Sequence, residues 1–149
     1  MSPLRTRQAL SGRHPFEVFL LVLSVATGAP GASGQAPPPS SIAALADPFA
    51  ARLWSIGLVI GATVALVGVA WPKPRDRAKV SITGLSLEQV GLVAVAAVGT
   101  YYGVVVVIAV GMGALVAAGI IIAYATSCWV RAWQLQGIIR GTRAIAEHQ

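Results

Sequence analysis

The sequence predicts an all-α fold, a polytopic transmembrane helical bundle with four spans, or three if the first apolar segment is a cleaved signal peptide. Composition is the first reason. The 149 residues are 56% hydrophobic and 11% charged, with a mean hydropathy of +0.74, whereas soluble domains carry about 25% charge. Uninterrupted apolar length is the second. Residues 90–130 contain no Asp, Glu, Lys, Arg or His. As helix, that run of about 41 residues would extend roughly 61 Å, enough to cross a hydrocarbon core about 30 Å thick twice. The third reason is the placement of the basic residues, which sit in short segments beside the apolar runs, the pattern of inner loops in membrane proteins.

Residues 1–15 form a basic N-terminal segment with Arg5, Arg7 and Arg13 and no acid. Residues 16–29 follow, with FEVFLLVLSVAT as the apolar part. Two readings stand open. One is a short first span that relies on snorkelling or bilayer thinning. The other is a secretory signal peptide with Ala32-Ser33-Gly34 as its cleavage site. Residues 30–52 are a Pro/Gly/Ser-rich external linker. Pro37-Pro38-Pro39 favours extended chain, and Pro48 is expected to interrupt any helix leading into the next span.

Residues 53–71 form the second span. Trp54 and Trp71 bracket it, roughly 26 Å apart along a helix, which suits opposite interfaces. Residues 72–89 carry Lys73, Arg75, Arg77 and Lys79 against Asp76 and are expected as a cytoplasmic loop. A short helix should start after Ser86, where Ser86-Leu87-Glu88-Gln89 resembles a capping box. Residues 90–130 make a transmembrane hairpin that turns at Gly111-Met112-Gly113. Lipid cannot satisfy free backbone groups, so the turn belongs at the far interface.

Residues 131–149 are an amphipathic cytoplasmic tail. Ala132, Leu135, Ile139, Thr142 and Ala146 share one face, while Gln134, Arg140, Arg143 and Glu147 share the other. This tail either lies on the membrane or packs with a partner helix. Trp129 and Trp133 flank Arg131 at the exit from the bilayer. With the N-terminus inside, every basic residue but Arg52 falls on the inner side, so both termini are cytoplasmic. The net charge of +6 then points to anionic lipid headgroups near the basic loops. Nucleic acid is not expected, since no basic helix or aromatic–basic platform is present.

Chemistry is sparse. His14 and His148 stand at opposite ends, and Cys128 is the single cysteine, so neither a metal site nor a disulfide is expected. There is no P-loop and no GxSxG motif. The expectation is a protein that is not an enzyme and holds no cofactor, with no small-molecule substrate to identify. Glu17 reads as the only carboxylate near hydrocarbon, either at headgroup level or lining a pore.

Packing and polarity offer the remaining candidates. Gly57 and Gly61 in the second span, and Gly99 and Gly103 in the third, are small residues four apart. Such spacing lets helix backbones approach, within one chain or between copies in a homo-oligomer. Thr100, Tyr101 and Tyr102 fall level with Tyr124 near mid-membrane depth when the hairpin is reflected about its turn, and Thr63 lies near the centre of the second span. Such a belt serves either interhelical hydrogen bonding or a water-facing surface in an oligomeric pore.

The bias to Ala, Gly, Val and Arg resembles small multi-pass membrane proteins of actinobacterial phages. So do LWSIGLVIGATVALVGVAWP, SLEQVGLVAV and the closing CWVRAWQLQ. The resemblance covers residues 50–149. Some such proteins are holin-like, which implies self-association in the inner membrane of a bacterium and permeabilisation at lysis. The alternative is a non-permeabilising scaffold or accessory protein that binds a partner through its linker or tail.

Overall fold

The computed structural model of the chain describes residues 15–35, 48–71 and 82–146. The basic N-terminal segment, most of the external linker, the Lys73–Lys79 charges, His14 and His148 lie outside them. The described residues form an all-α bundle of four helices. These are α1 (Pro15–Ala32), α2 (Pro48–Ala70), α3 (Ile82–Val110) and α4 (Leu115–Ala146), with a one-turn 3-10 helix at Gly111–Ala114 joining the last two. Stretches within three of them, Pro15–Ala32, Ala51–Ala70 and Ile82–Ala109, are long and apolar enough to cross a membrane. The chain is thus a multi-pass membrane protein whose outer surface meets lipid. That surface is apolar to match, with Phe16, Phe19, Ile60, Ile108, Val116 and Ile120 all exposed.

Each helix runs antiparallel to the next. Gly28 faces Val59 and Gly31 faces Ser55, Gly57 faces Val98 while Gly84 faces Trp71, and Gly99 faces Ala125 while Gly103 faces Ile122. The last two pairs match the hairpin register expected from reflection about the turn. Gly111 makes that turn possible with φ +70°, a conformation that costs a residue with a Cβ about 1–2 kcal/mol. The core is built from small residues. Ala62, Ala65, Ala96, Ala125 and Ala132 are all buried, with Leu21, Leu92 and Leu135 as the large side chains among them.

The helix boundaries differ from expectation in three places. α2 begins at Pro48 rather than near residue 53. Proline at the first helical position loses nothing, because that N–H has no intrahelical acceptor, so Pro48 starts the helix instead of interrupting it. α3 begins at Ile82, so Ser86 lies inside the helix and caps nothing. α1 runs on to Ala32 with Pro30 inside it, through residues that read in sequence as a cleavage site or linker.

The tail does not form a separate element. α4 continues without a break through Trp129 and Arg131 to Ala146. Leu85 of α3 and Leu135 and Ile139 of α4 share one buried cluster, with Ile82 and Ile138 packed against it. The apolar face of the tail is therefore covered by the start of α3 within the same chain. Together the two helices, 29 and 32 residues long, extend roughly 43 and 48 Å and outrun a hydrocarbon core of about 30 Å.

Candidate functional site

Three charged side chains come together at one place, where α1, α3 and α4 meet away from the hairpin turn. Glu88 enters from the second turn of α3 and is 1% exposed. Its Oε1 accepts a hydrogen bond from Arg131 Nη2 of α4 at 3.2 Å. On the other side of the guanidinium, Glu17 of α1 places its Oε1 3.7 Å from Arg131 Nε, an ion pair beyond hydrogen-bond range. Two carboxylates thus share one cation in a largely apolar setting. Removing the cation would strand a buried charge, which is costly.

By sequence Glu17 is the only carboxylate near hydrocarbon, and Glu88 falls in the cytoplasmic segment at the start of a short helix. The structure corrects this, because helix α3 starts early enough to carry Glu88 into the core. A signal for it is present. Leu85, Glu88, Leu92, Val95 and Ala96 follow helical spacing, and all five are buried, so Glu88 lies on the core face.

A second polar rung joins α1 to α4. Ser24 Oγ donates to the Leu20 carbonyl at 2.8 Å and lies 3.1 Å from Tyr124 Oη. Its single hydrogen is committed to Leu20, so Tyr124 is the donor. The two rungs are about 10 Å apart along α1. Between and beside them α1 and α4 leave a cleft of about 630 Å³, floored by Leu92 of α3 and bordered at its charged end by Glu17, Arg131 and Gln134.

The hydroxyl belt expected at mid-depth does not converge. Tyr124 bonds toward α1. Tyr102 stacks on Trp54 of α2 with ring centroids 4.7 Å apart. Thr100 is exposed and donates to the Ala96 carbonyl of its own helix at 2.7 Å. Tyr101 is 56% exposed, and Thr63 also faces outward. Depth follows from sequence position, whereas direction follows from helix phase, and these residues differ in phase.

The tryptophans divide likewise. Trp71 stands just past the end of α2 and is exposed, as are Trp129 and Trp133 on either side of Arg131. Trp54 lies about 9 Å inside α2, where its Nε1 donates to the Val98 carbonyl at 3.3 Å. It therefore clamps α2 to α3 from within the helix and does not stand at a helix end. Arg52, the one basic residue assigned outside, donates from Nε to the Ala32 carbonyl at the C-terminal end of α1, where a cation suits the helix dipole.

The expected small-residue pairs lie at helix contacts inside one chain. A Cβ on Gly57 would sit 3.2 Å from Val98 Cγ2, and one on Gly61 3.0 Å from Ala94 Cβ. One on Gly99 would sit 3.2 Å from Ala125 Cβ, and one on Gly103 2.6 Å from Ile122 Cγ1. Tighter approaches occur at Gly68 and Gly91, which the four-residue pattern misses. A Cβ on either would strike the backbone of the facing helix, Glu88 from Gly68 and Ala65 from Gly91.

Among the described residues no group of three His, Cys, Asp or Glu side chains is placed to hold a metal ion. Cys128 is a buried free thiol on the wall of the cleft. Comparison with family models, with curated proteins and with solved structures returns no match.

Proposed function

We propose that the chain is a non-enzymatic, non-permeabilising membrane scaffold or accessory protein that presents its cytoplasmic end to a partner. In this reading the bundle crosses a bacterial inner membrane four times, with α1 retained and both termini in the cytoplasm. The observation that carries it is the dispersal of the mid-depth hydroxyls, because no interior face gathers them into a water path. Polar pairing instead joins helix to helix within the chain, α1 to α4, α3 to α4 and α2 to α3. The fourth crossing is supported by the uncharged residues 115–130 of α4, which run alongside α3. Orientation is supported by the basic residues and by Trp71, Trp129 and Trp133 clustering toward the end away from the turn.

A second reading, holin-like self-assembly, draws on Tyr101, a hydroxyl exposed on the outer surface at mid-depth. Copies that turned this face toward one another would line a pore. Induced expression in a bacterium with a potential-sensitive dye separates the two. The scaffold reading expects undisturbed potential and growth, and abrupt depolarisation would sink it in favour of the second. A reporter fused after Gln149 should be cytoplasmic, and a periplasmic signal there would refute the orientation.

A further inference from the structure

α1 is held differently from the other helices. It packs closely on α2, where Gly28 and Gly31 bring it against Val59 and Ser55. Toward α4 it makes the two polar rungs, Glu17–Arg131 and Ser24–Tyr124, and the space beside them is the cleft of about 630 Å³. That volume lies within the range of small-molecule sites, about 300–1,000 Å³. Leu20, Leu21, Leu92, Ala123 and Val130 are among its apolar lining, and its two charged groups, Glu17 and Arg131, stand together at one end. Along α4 the slot from Arg131 to Ala123 is about 12 Å long. Its shape is that of an amphiphile, with a charged head at the end where the bundle leaves the membrane and a hydrocarbon chain running inward.

The charges at the head define the ligand further. We infer that the cleft holds one ethanolamine phospholipid, with its phosphate on Arg131, its ammonium on Glu17 and one acyl chain over Leu92. The Arg131 guanidinium lines the cleft, and of its five N–H donors Nη2 carries the bond to Glu88 while Nε is shut off from solvent beside Glu17. The guanidinium therefore has a donor for a phosphate oxygen. A carboxylate offers about four acceptor sites, so Glu17 takes an ammonium alongside the partners it already has. Both signs are needed. Glu17, Glu88 and Arg131 sum to a net negative cluster, which disfavours a purely anionic head such as phosphatidylglycerol. A choline head has no N–H to donate to Glu17.

This inference rests on α1 being retained, as proposed above, and intact mass reports that independently. The test is native mass spectrometry of the full chain released from nanodiscs of equal parts phosphatidylethanolamine, phosphatidylglycerol and phosphatidylcholine. The expected result is one retained lipid per chain, predominantly phosphatidylethanolamine. Glu17→Gln should cut the ethanolamine-to-glycerol retention ratio roughly tenfold, the size of one charge-assisted hydrogen bond. Ala123→Trp, which fills the chain slot away from the ion cluster, should abolish retention while α1 stays in place. Equal retention of all three lipids would overturn the proposal, as would a ratio unmoved by Glu17→Gln or retention unmoved by Ala123→Trp. A lipid-free dimer that buries the cleft would overturn it in favour of a second copy. A mass lacking α1 would instead refute the four-span reading beneath it.

Discussion

The α2–α3 and α1–α4 contacts solve the same problem in opposite ways. Between α2 and α3 the backbones themselves touch. A Cβ on Gly91 would come within 2.6 Å of the Gly61 carbonyl oxygen, and one on Gly68 within 2.7 Å of the Gly84 oxygen. Close approach of this kind gathers dispersion contacts along the whole interface, which is how helices associate where lipid removes the hydrophobic drive. Between α1 and α4 the helices stand apart and are bridged by polar side chains at two levels. The first interface leaves no room for added volume at Gly68 and Gly91 and adds a single polar clamp, Trp54 Nε1 to the Val98 carbonyl. The second has room to spare and depends on specific groups. α1 is thus packed closely on its α2 side and bridged across a cleft on its α4 side.

Substitutions that respect this contrast should rank accordingly. Gly91→Leu forces a side chain into the α2 backbone, which cannot give way as a side chain would. The expected loss is on the order of 3 kcal/mol or more, read as collapse of the monodisperse peak in detergent and of resistance to SDS unfolding. Arg131→Ala acts on the open side. It strands Glu88 in the core, and a fully buried pair broken in this way costs about 3–5 kcal/mol. The Arg131 side chain is 18% exposed, so about 2 kcal/mol is the expected loss in the same titration. Adding Glu88→Leu should recover most of it, and a double variant no better than the single would remove the ion pair from the account of stability.

The smallest expected effects fall on two tyrosines, one bridging and one exposed. Tyr124→Phe removes the upper rung, and interhelical hydrogen bonds in membranes average about 0.6 kcal/mol. Tyr101→Phe, on the outer surface, should stay within about 0.5 kcal/mol of the parent. If the exposed tyrosine mattered more than the bridging one, the outward face would be the buried one in the working assembly. That result would shift the balance toward the self-assembling reading.

Much of the architecture is legible in the amino-acid sequence. The number of helices follows from apolar lengths set against bilayer thickness, and the turn at Gly111 follows from glycines at the midpoint of an uncharged run. The hairpin register follows from the turn. Interior direction is harder to read. Residues 82–89 look like loop because charge surrounds them, yet Ile82 and Leu85 find an apolar partner in the tail and draw Glu88 inward. Trp54 reads as an interfacial anchor by residue type, and residue type does not reveal that its indole N–H also meets the Val98 carbonyl of α3. Gly61 and Gly68 on α2 and Gly84 and Gly91 on α3 form the tightest contact at seven-residue spacing, which a search for glycines four apart passes over. In each case the deciding quantity is helix phase relative to a neighbour, and an evenly apolar span scarcely records phase, since almost every position is compatible with lipid.

The unbroken course of α4 has a consequence for anything attached to it. Because one helix runs from the turn through Arg131 to Ala146, the tail is a shaft keyed to the span. Each residue inserted beyond Ile139 and carried on as helix would advance an attached domain by about 1.5 Å and turn it by about 100°. A fused reporter or natural partner would thus be read out periodically with linker length, returning to the same bearing about every 3.6 residues.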